Sequence, residues 1–151
     1  MNREDKKQWI ALFILLMFGG SSIAIAVSQV LPSDTQAKLI VDEPLADSQE
    51  AQYFQKDVVV VRVYYDTPSD VINTLNNMVN TLNQKMFLER INVAKYPDQY
   101  KAIKDTFSST TMPLILIRGK TEIRLNGEQT VAELKSDICS VYFQDIDECA
   151  V

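Results

Sequence analysis

Hydrophobic and polar positions divide the chain into two regimes. Trp9 to Leu31 (WIALFILLMFGGSSIAIAVSQVL) carries no charged side chain in 23 positions. From Val58 onward, apolar runs alternate with polar breaks at the spacing of strands and helices. Val58–Tyr65 (VVVVRVYY) is a nearly continuous β-branched and aromatic run, the pattern of a strand covered on both faces. It stops at Asp66-Thr67-Pro68, where Thr67 reads as an N-cap, Pro68 as the first helical residue and Asp70 as an acid near the positive end of the helix dipole. Val71, Ile72, Leu75, Met78, Val79 and Leu82 then form one stripe at helical spacing, with Asn73, Asn76, Asn77, Asn80 and Asn83 on much of the other face. Asparagine favours helix poorly, so packing must hold this helix.

A second strand is predicted at about Met86–Val93. A helix near Asp98–Phe107 follows, with Tyr100, Ile103 and Phe107 facing inward. After Met112-Pro113, Leu114–Ile117 reads as a third strand, and Gly119-Lys120 as a tight turn into a fourth at Thr121–Leu125. Asn126-Gly127 closes that strand. Thr130 with Glu133 forms a capping box for a last helix whose inner face is Val131, Leu134 and Ile138. The expected order is βαβαββα, an α/β sheet with helices on both faces.

As a helix, the charge-free run 9–31 would reach roughly 34 Å, enough for a hydrocarbon core of about 30 Å. Its polar interruptions are Gly and Ser, which helices tolerate in lipid, and Trp9 sits where an interfacial aromatic belongs. Arg3, Lys6 and Lys7 precede the run and the next Lys is Lys38. The positive-inside rule then leaves residues 1–8 cytoplasmic and the domain extracytoplasmic. The rival reading is a signal peptide cleaved after Ala26, since Ala24-Ile25-Ala26 has the small-x-small form. A retained signal anchor is preferred because the apolar run continues past that site. Residues 32–57, with two prolines and six acids against two lysines, read as an acidic linker in which Leu39–Val41 and Asp47–Phe54 offer at most a short strand and a short helix.

Charge narrows the function classes. Beyond residue 31 there are 12 Lys or Arg and 18 Asp or Glu, a balance of −6, and the whole chain holds no histidine. An acidic domain without a basic stripe is a poor candidate for nucleic acid. Without histidine it is also a poor candidate for metal binding or for general-base chemistry near neutral pH. No metal and no cofactor is expected.

The stretch Val58–Ile138 resembles the thioredoxin fold. The likeness is most specific at Thr111-Met112-Pro113-Leu114-Ile115-Leu116-Ile117, followed by Gly119-Lys120 and Asn126-Gly127. It implies a cis bond at Met112-Pro113, which costs only about 0.5–1 kcal/mol before proline. It also implies a groove between the first helix start and that proline, lined here by Tyr65, Thr67, Pro68, Met112 and Pro113, where an extended peptide can pair with backbone.

One part of the pattern is missing. Thioredoxins carry Cys-x-x-Cys between the first strand and the first helix, where the helix N-terminus activates a thiol. This chain has Tyr65-Asp66-Thr67-Pro68-Ser69-Asp70 there. Its only cysteines are Cys139 and Cys149, with nine residues between them in the chain's last stretch. For an exported domain, a structural disulfide closing the C-terminal tail is the simplest reading, and a redox-active pair is the alternative. The function expected is a non-catalytic, membrane-anchored accessory module whose partners are the membrane and other membrane or extracytoplasmic proteins. Two alternatives stand beside it. One is an atypical thiol–disulfide oxidoreductase using Cys139 and Cys149. The other is a structural subunit packing through the small-residue face of its transmembrane helix.

Overall fold

The computed structural model describes residues 38–150, and the expected cytoplasmic and membrane-spanning segments, 1–31, lie outside them. A mixed five-stranded sheet forms from β1 (Ile40–Val41), β2 (Val59–Tyr65), β3 (Met86–Asn92), β4 (Leu114–Arg118) and β5 (Glu122–Asn126), in the order β1-β3-β2-β4-β5. The first three strands are parallel. β4 runs antiparallel to β2, and β5 pairs antiparallel with β4. The helices are α1 (Asp47–Phe54), α2 (Asp70–Thr81), α3 (Pro97–Ile103) and α4 (Val131–Ser140).

The expected βαβαββα order is present from β2 to α4, but a strand and a helix precede it. The segment expected to be an acidic linker up to residue 57 is, from Lys38, integral to the domain. Ile40 stands opposite Leu88, and Leu88 N–H donates to the Leu39 carbonyl at 2.7 Å. Leu45, Tyr53 and Phe54 pack on Val58, Val60 and Phe87. A two-residue strand leaves almost no period to detect, and α1 buries only Glu50.

Alternation along β2 assigns the two faces of the sheet. Val59, Val61 and Val63 belong to the main core with the α2 stripe and with Leu134 and Ile138 of α4. That core holds α2 in place despite its four asparagines, the fifth, Asn83, lying just past the helix at φ 49°. Val60 and Tyr64 point the other way, Val60 under α1 and Tyr64 under the α3 region with Ile91, Phe107 and Leu114. Between these two apolar clusters lies a buried ion pair. Arg62 Nε donates to Glu89 Oε2 at 2.6 Å and Arg62 Nη2 to Glu89 Oε1 at 3.2 Å.

The expected helix near Asp98–Phe107 starts one residue earlier, at Pro97, and ends at Ile103. A 3₁₀ turn over Lys104–Thr106 then delivers Phe107 to the core. The start of α2 also differs from expectation. Its N-cap is Ser69 rather than Thr67, and Asp70 opens the helix. Asp66 accounts for the shift, because its Oδ1 accepts both Thr67 N–H (2.7 Å) and the Thr67 hydroxyl (3.2 Å), holding Thr67 in a turn before the helix.

Candidate functional site

The candidate groove lies at one end of the sheet. Because Tyr64 pairs with Leu114 in antiparallel register, the loop after β2 and the loop before β4 emerge side by side. The second loop contains the cis bond Met112-Pro113. Gly127, at φ 74°, donates its N–H to the Thr111 carbonyl (3.0 Å) and to the Pro113 carbonyl (2.9 Å), clamping the loop from the end of β5. That left-handed φ is the reason glycine stands at 127. Thr111 N–H donates to Ser109 Oγ at 3.2 Å, and the Ser109 and Thr111 hydroxyls are 2.9 Å apart. The Met112 N–H and C=O, between these clamped neighbours, find no partner among the described residues.

The five residues expected to line one groove are divided by the sheet. Pro113 is buried, Thr67 and Pro68 are exposed, and Met112 and Tyr65 are half-buried. Met112 packs with Tyr64, Phe107 and Leu114 on the α3 side, whereas Tyr65 packs toward the α2–α4 side. The two-residue strand period puts Tyr65 and Met112 on opposite faces, so the apolar surface beside the unpaired Met112 backbone comes from the α3 side. No thiol is present at this end. Ser69 Oγ, at the helix start, is buried without a hydrogen-bond partner.

The cysteines lie elsewhere and are bonded to each other. Cys139, in the last turn of α4, is joined to Cys149, in the 3₁₀ turn Asp147–Cys149. The bridge holds the tail against the core, where Ile146 and Cys149 pack. Shallow clefts flank it on both sides. One, of ≈ 380 Å³, is lined by Ala132, Lys135, Ser136 and both cysteines. The other, of ≈ 390 Å³, is lined by Asp145, Ile146, Asp147, Ala150 and both cysteines. A thiolate released at Cys139 would face the negative end of α4 and two carboxylates, surroundings that disfavour it.

Buried charge marks a third place, which the sequence reading did not single out. Besides Arg62–Glu89, Glu50 of α1 accepts from Arg118 Nη1 of β4 at 2.6 Å, while its other oxygen is buried without a partner. Burial pushes the Glu50 carboxyl above its ordinary range, and Arg118 only partly counters this. Arg62 is disfavoured by burial, but Glu89 more than offsets that and holds its charge firmly. The signal was available: Arg62 is the one charge within VVVVRVYY, and Glu89 is the opposite charge within the next apolar strand. Among the described residues no group of three or more His, Cys, Asp or Glu side chains is placed to hold a metal ion, and no helix is long and apolar enough to cross a membrane.

Comparison with family models and with curated proteins finds no match. Solved structures do match. A chloroplastic thioredoxin z superposes with a TM-score of 0.53 at 16% identity, covering 67% of this chain and 93% of its own. A thioredoxin from Nicotiana alata, NaTrxh, gives 0.50 at 15% identity over 74% of this chain and 99% of its own. Identities this low speak for the backbone alone. On strand order, on the loop before β4 and on these likenesses, the described domain has a thioredoxin-like fold.

Proposed function

We propose that this protein is a non-catalytic thioredoxin-like module, held at a membrane by residues 9–31 and displayed on the extracytoplasmic side, where it binds an extended peptide of a partner protein. The observation that carries this reading is the composition of the helix start. Where the fold's dithiol motif belongs, the chain has Tyr65-Asp66-Thr67-Pro68-Ser69-Asp70, whose hydroxyls cannot do thiol chemistry near neutral pH. The Met112 N–H and C=O, unpaired next to half-buried apolar surface, fit strand addition by a peptide. Thr67 and Pro68 would border such a peptide from the α2 side.

The test is co-purification of the full chain from its native membranes in mild detergent, with wild type and Met112→Asp compared. A charge there opposes an apolar contact while leaving an incompletely buried position able to fold. A folded variant that loses a wild-type partner supports the groove. A folded variant that keeps every partner at wild-type yield moves binding to the apolar segment 9–31. Intact mass from isolated membranes tests the anchor separately, since a chain beginning near Val27 would mean cleavage.

A second reading rests on the clefts beside Cys139–Cys149, which leave that disulfide approachable from two sides. In it, the pair exchanges with a partner thiol or disulfide as an atypical oxidoreductase. The surroundings of Cys139 argue against it as an attacking group, so it stands second.

A further inference from the structure

The two ends of the sheet differ in charge, and each exposes one large apolar side chain: Val131, at the start of α4 by the groove end, is 60% exposed instead of facing inward as expected, and Phe143 lies at the other end. At the groove end the exposed ionisable groups are mainly acids: Asp66, Asp70, Asp98 and Glu128, against Lys95 and Lys101, the latter 3.8 Å from Asp98. The opposite end, where β1, β2 and β3 begin and β4 finishes, gathers Lys38, Lys56, Lys85 and Lys120. Hydrogen bonds place these residues at one end. The Lys85 carbonyl accepts Val59 N–H at 2.9 Å and the Tyr142 hydroxyl at 3.1 Å, and Lys120 N–H donates to the Val141 carbonyl at 2.8 Å. Lys38 immediately precedes Leu39, whose carbonyl is bonded to Leu88 N–H. Phe143 belongs to the same end. It is 46% exposed, against Phe54 with ring centroids 6.3 Å apart. The acids here are Asp57, Asp145 and Glu148, the last close enough to act on Tyr142, and Glu122 is tied to Arg118 and Arg124.

We infer that this lysine and phenylalanine end docks on the surface of an anionic lipid bilayer, turning the groove end away from it. The inference rests on the anchor reading above, because the chain outside the described residues joins the domain at Lys38, within this same end. Lysines on flexible stems are attracted to anionic headgroups, and an exposed aromatic lodges at the headgroup boundary. The acidic opposite end is repelled by the same surface. Docking therefore fixes orientation as well as proximity and presents Met112-Pro113 to partners.

Lysine acetylation footprinting of the full chain tests this. The protein is reconstituted in nanodiscs of phosphatidylcholine alone, or with one part in three of phosphatidylglycerol. The expected result is that acetylation of Lys38, Lys56, Lys85 and Lys120 falls at least about fivefold in the anionic discs. Lys95, Lys101 and Lys135 should keep their rates, and the protection should weaken in folded Phe143→Ser and Lys56→Glu variants. Equal footprints in the two lipids, or equal protection of all seven lysines, would overturn the inference. So would protection that follows protein concentration instead of lipid charge, which would assign this end to a second copy of the chain. Carbonate extraction of the same samples separates the two readings. Protein that is extracted yet protected by anionic discs loses the anchor and keeps the docking surface; protein that resists extraction without protection does the reverse.

Discussion

Arg62 and Glu89, on adjacent parallel strands and paired in register, form a two-point ion pair at 2.6 and 3.2 Å inside an otherwise apolar sheet. Glu89 is fully buried and also accepts Leu45 N–H at 3.3 Å. The pair thus joins the centre of the sheet to the segment that leads into α1. Such pairs contribute little net stability when formed but are costly to break singly, because the survivor is left buried and charged.

Glu89→Leu should therefore destabilise the domain by about 3–5 kcal/mol, and Arg62→Met by a similar amount. The double variant should lose much less than the sum. Urea unfolding of all three variants against wild type measures the coupling. Additive losses would mean that the two side chains act independently.

Glu50 gives a pH dependence with a defined sign. Its carboxyl titrates above the ordinary 4.5 because burial opposes its charge more than Arg118 favours it. A folded-state pKa above the unfolded one gives stability that is present at low pH and is lost as pH rises through the folded value. Glu50→Gln mimics the protonated form. The stability of wild type relative to Glu50→Gln should therefore decrease from pH 4.5 to pH 7, as read from urea midpoints at the two values. An increase would show that the Arg118 ion pair outweighs desolvation.

The bridge between Cys139 and Cys149, 10 residues apart in numbering, constrains the unfolded chain and holds the tail. Unfolded, unreduced protein should show no free thiols. Cys149→Ser should cost roughly 3 kcal/mol on the chain-entropy model. Alkylation followed by mass measurement checks the first, and denaturant unfolding the second.

The tail is also seated by a close approach at Gly119, where an added Cβ would overlap the Val141 carbonyl oxygen. Gly119→Ala must push α4's end away from the β4–β5 turn, at a cost of about 1–3 kcal/mol. Faster amide exchange at Lys120, whose N–H is bonded to Val141, should accompany the loss.

Much of this architecture is legible in the sequence, for identifiable reasons. The α2 stripe and the Thr130–Glu133 capping box state their helices outright. Thr130 Oγ1 accepts from Glu133 N–H at 3.2 Å, as that motif requires. β1 and α1 were not legible as part of the domain, because tertiary pairing with β3 and burial of one glutamate make them what they are. The α2 cap was misplaced because Thr67-Pro68 has the composition of a helix start, while the Asp66 carboxylate takes the groups that a cap would use. The groove was half legible. Loop order along the chain brings Asp66–Ser69 beside Thr111–Pro113, but strand phase, not proximity, sets Tyr65 and Met112 on opposite faces.

The proposed use of a thioredoxin-like fold for binding, without dithiol chemistry, stands or falls on an insulin-reduction assay of the full chain with a thiol donor present. Turnover should be no higher than with the donor alone, because the helix start offers Thr67 and Ser69 and Cys139 lies in the last turn of α4, at its negative end. Turnover above that background which disappears in Cys139→Ser would contradict it, and would make the disulfide with its flanking clefts the active site.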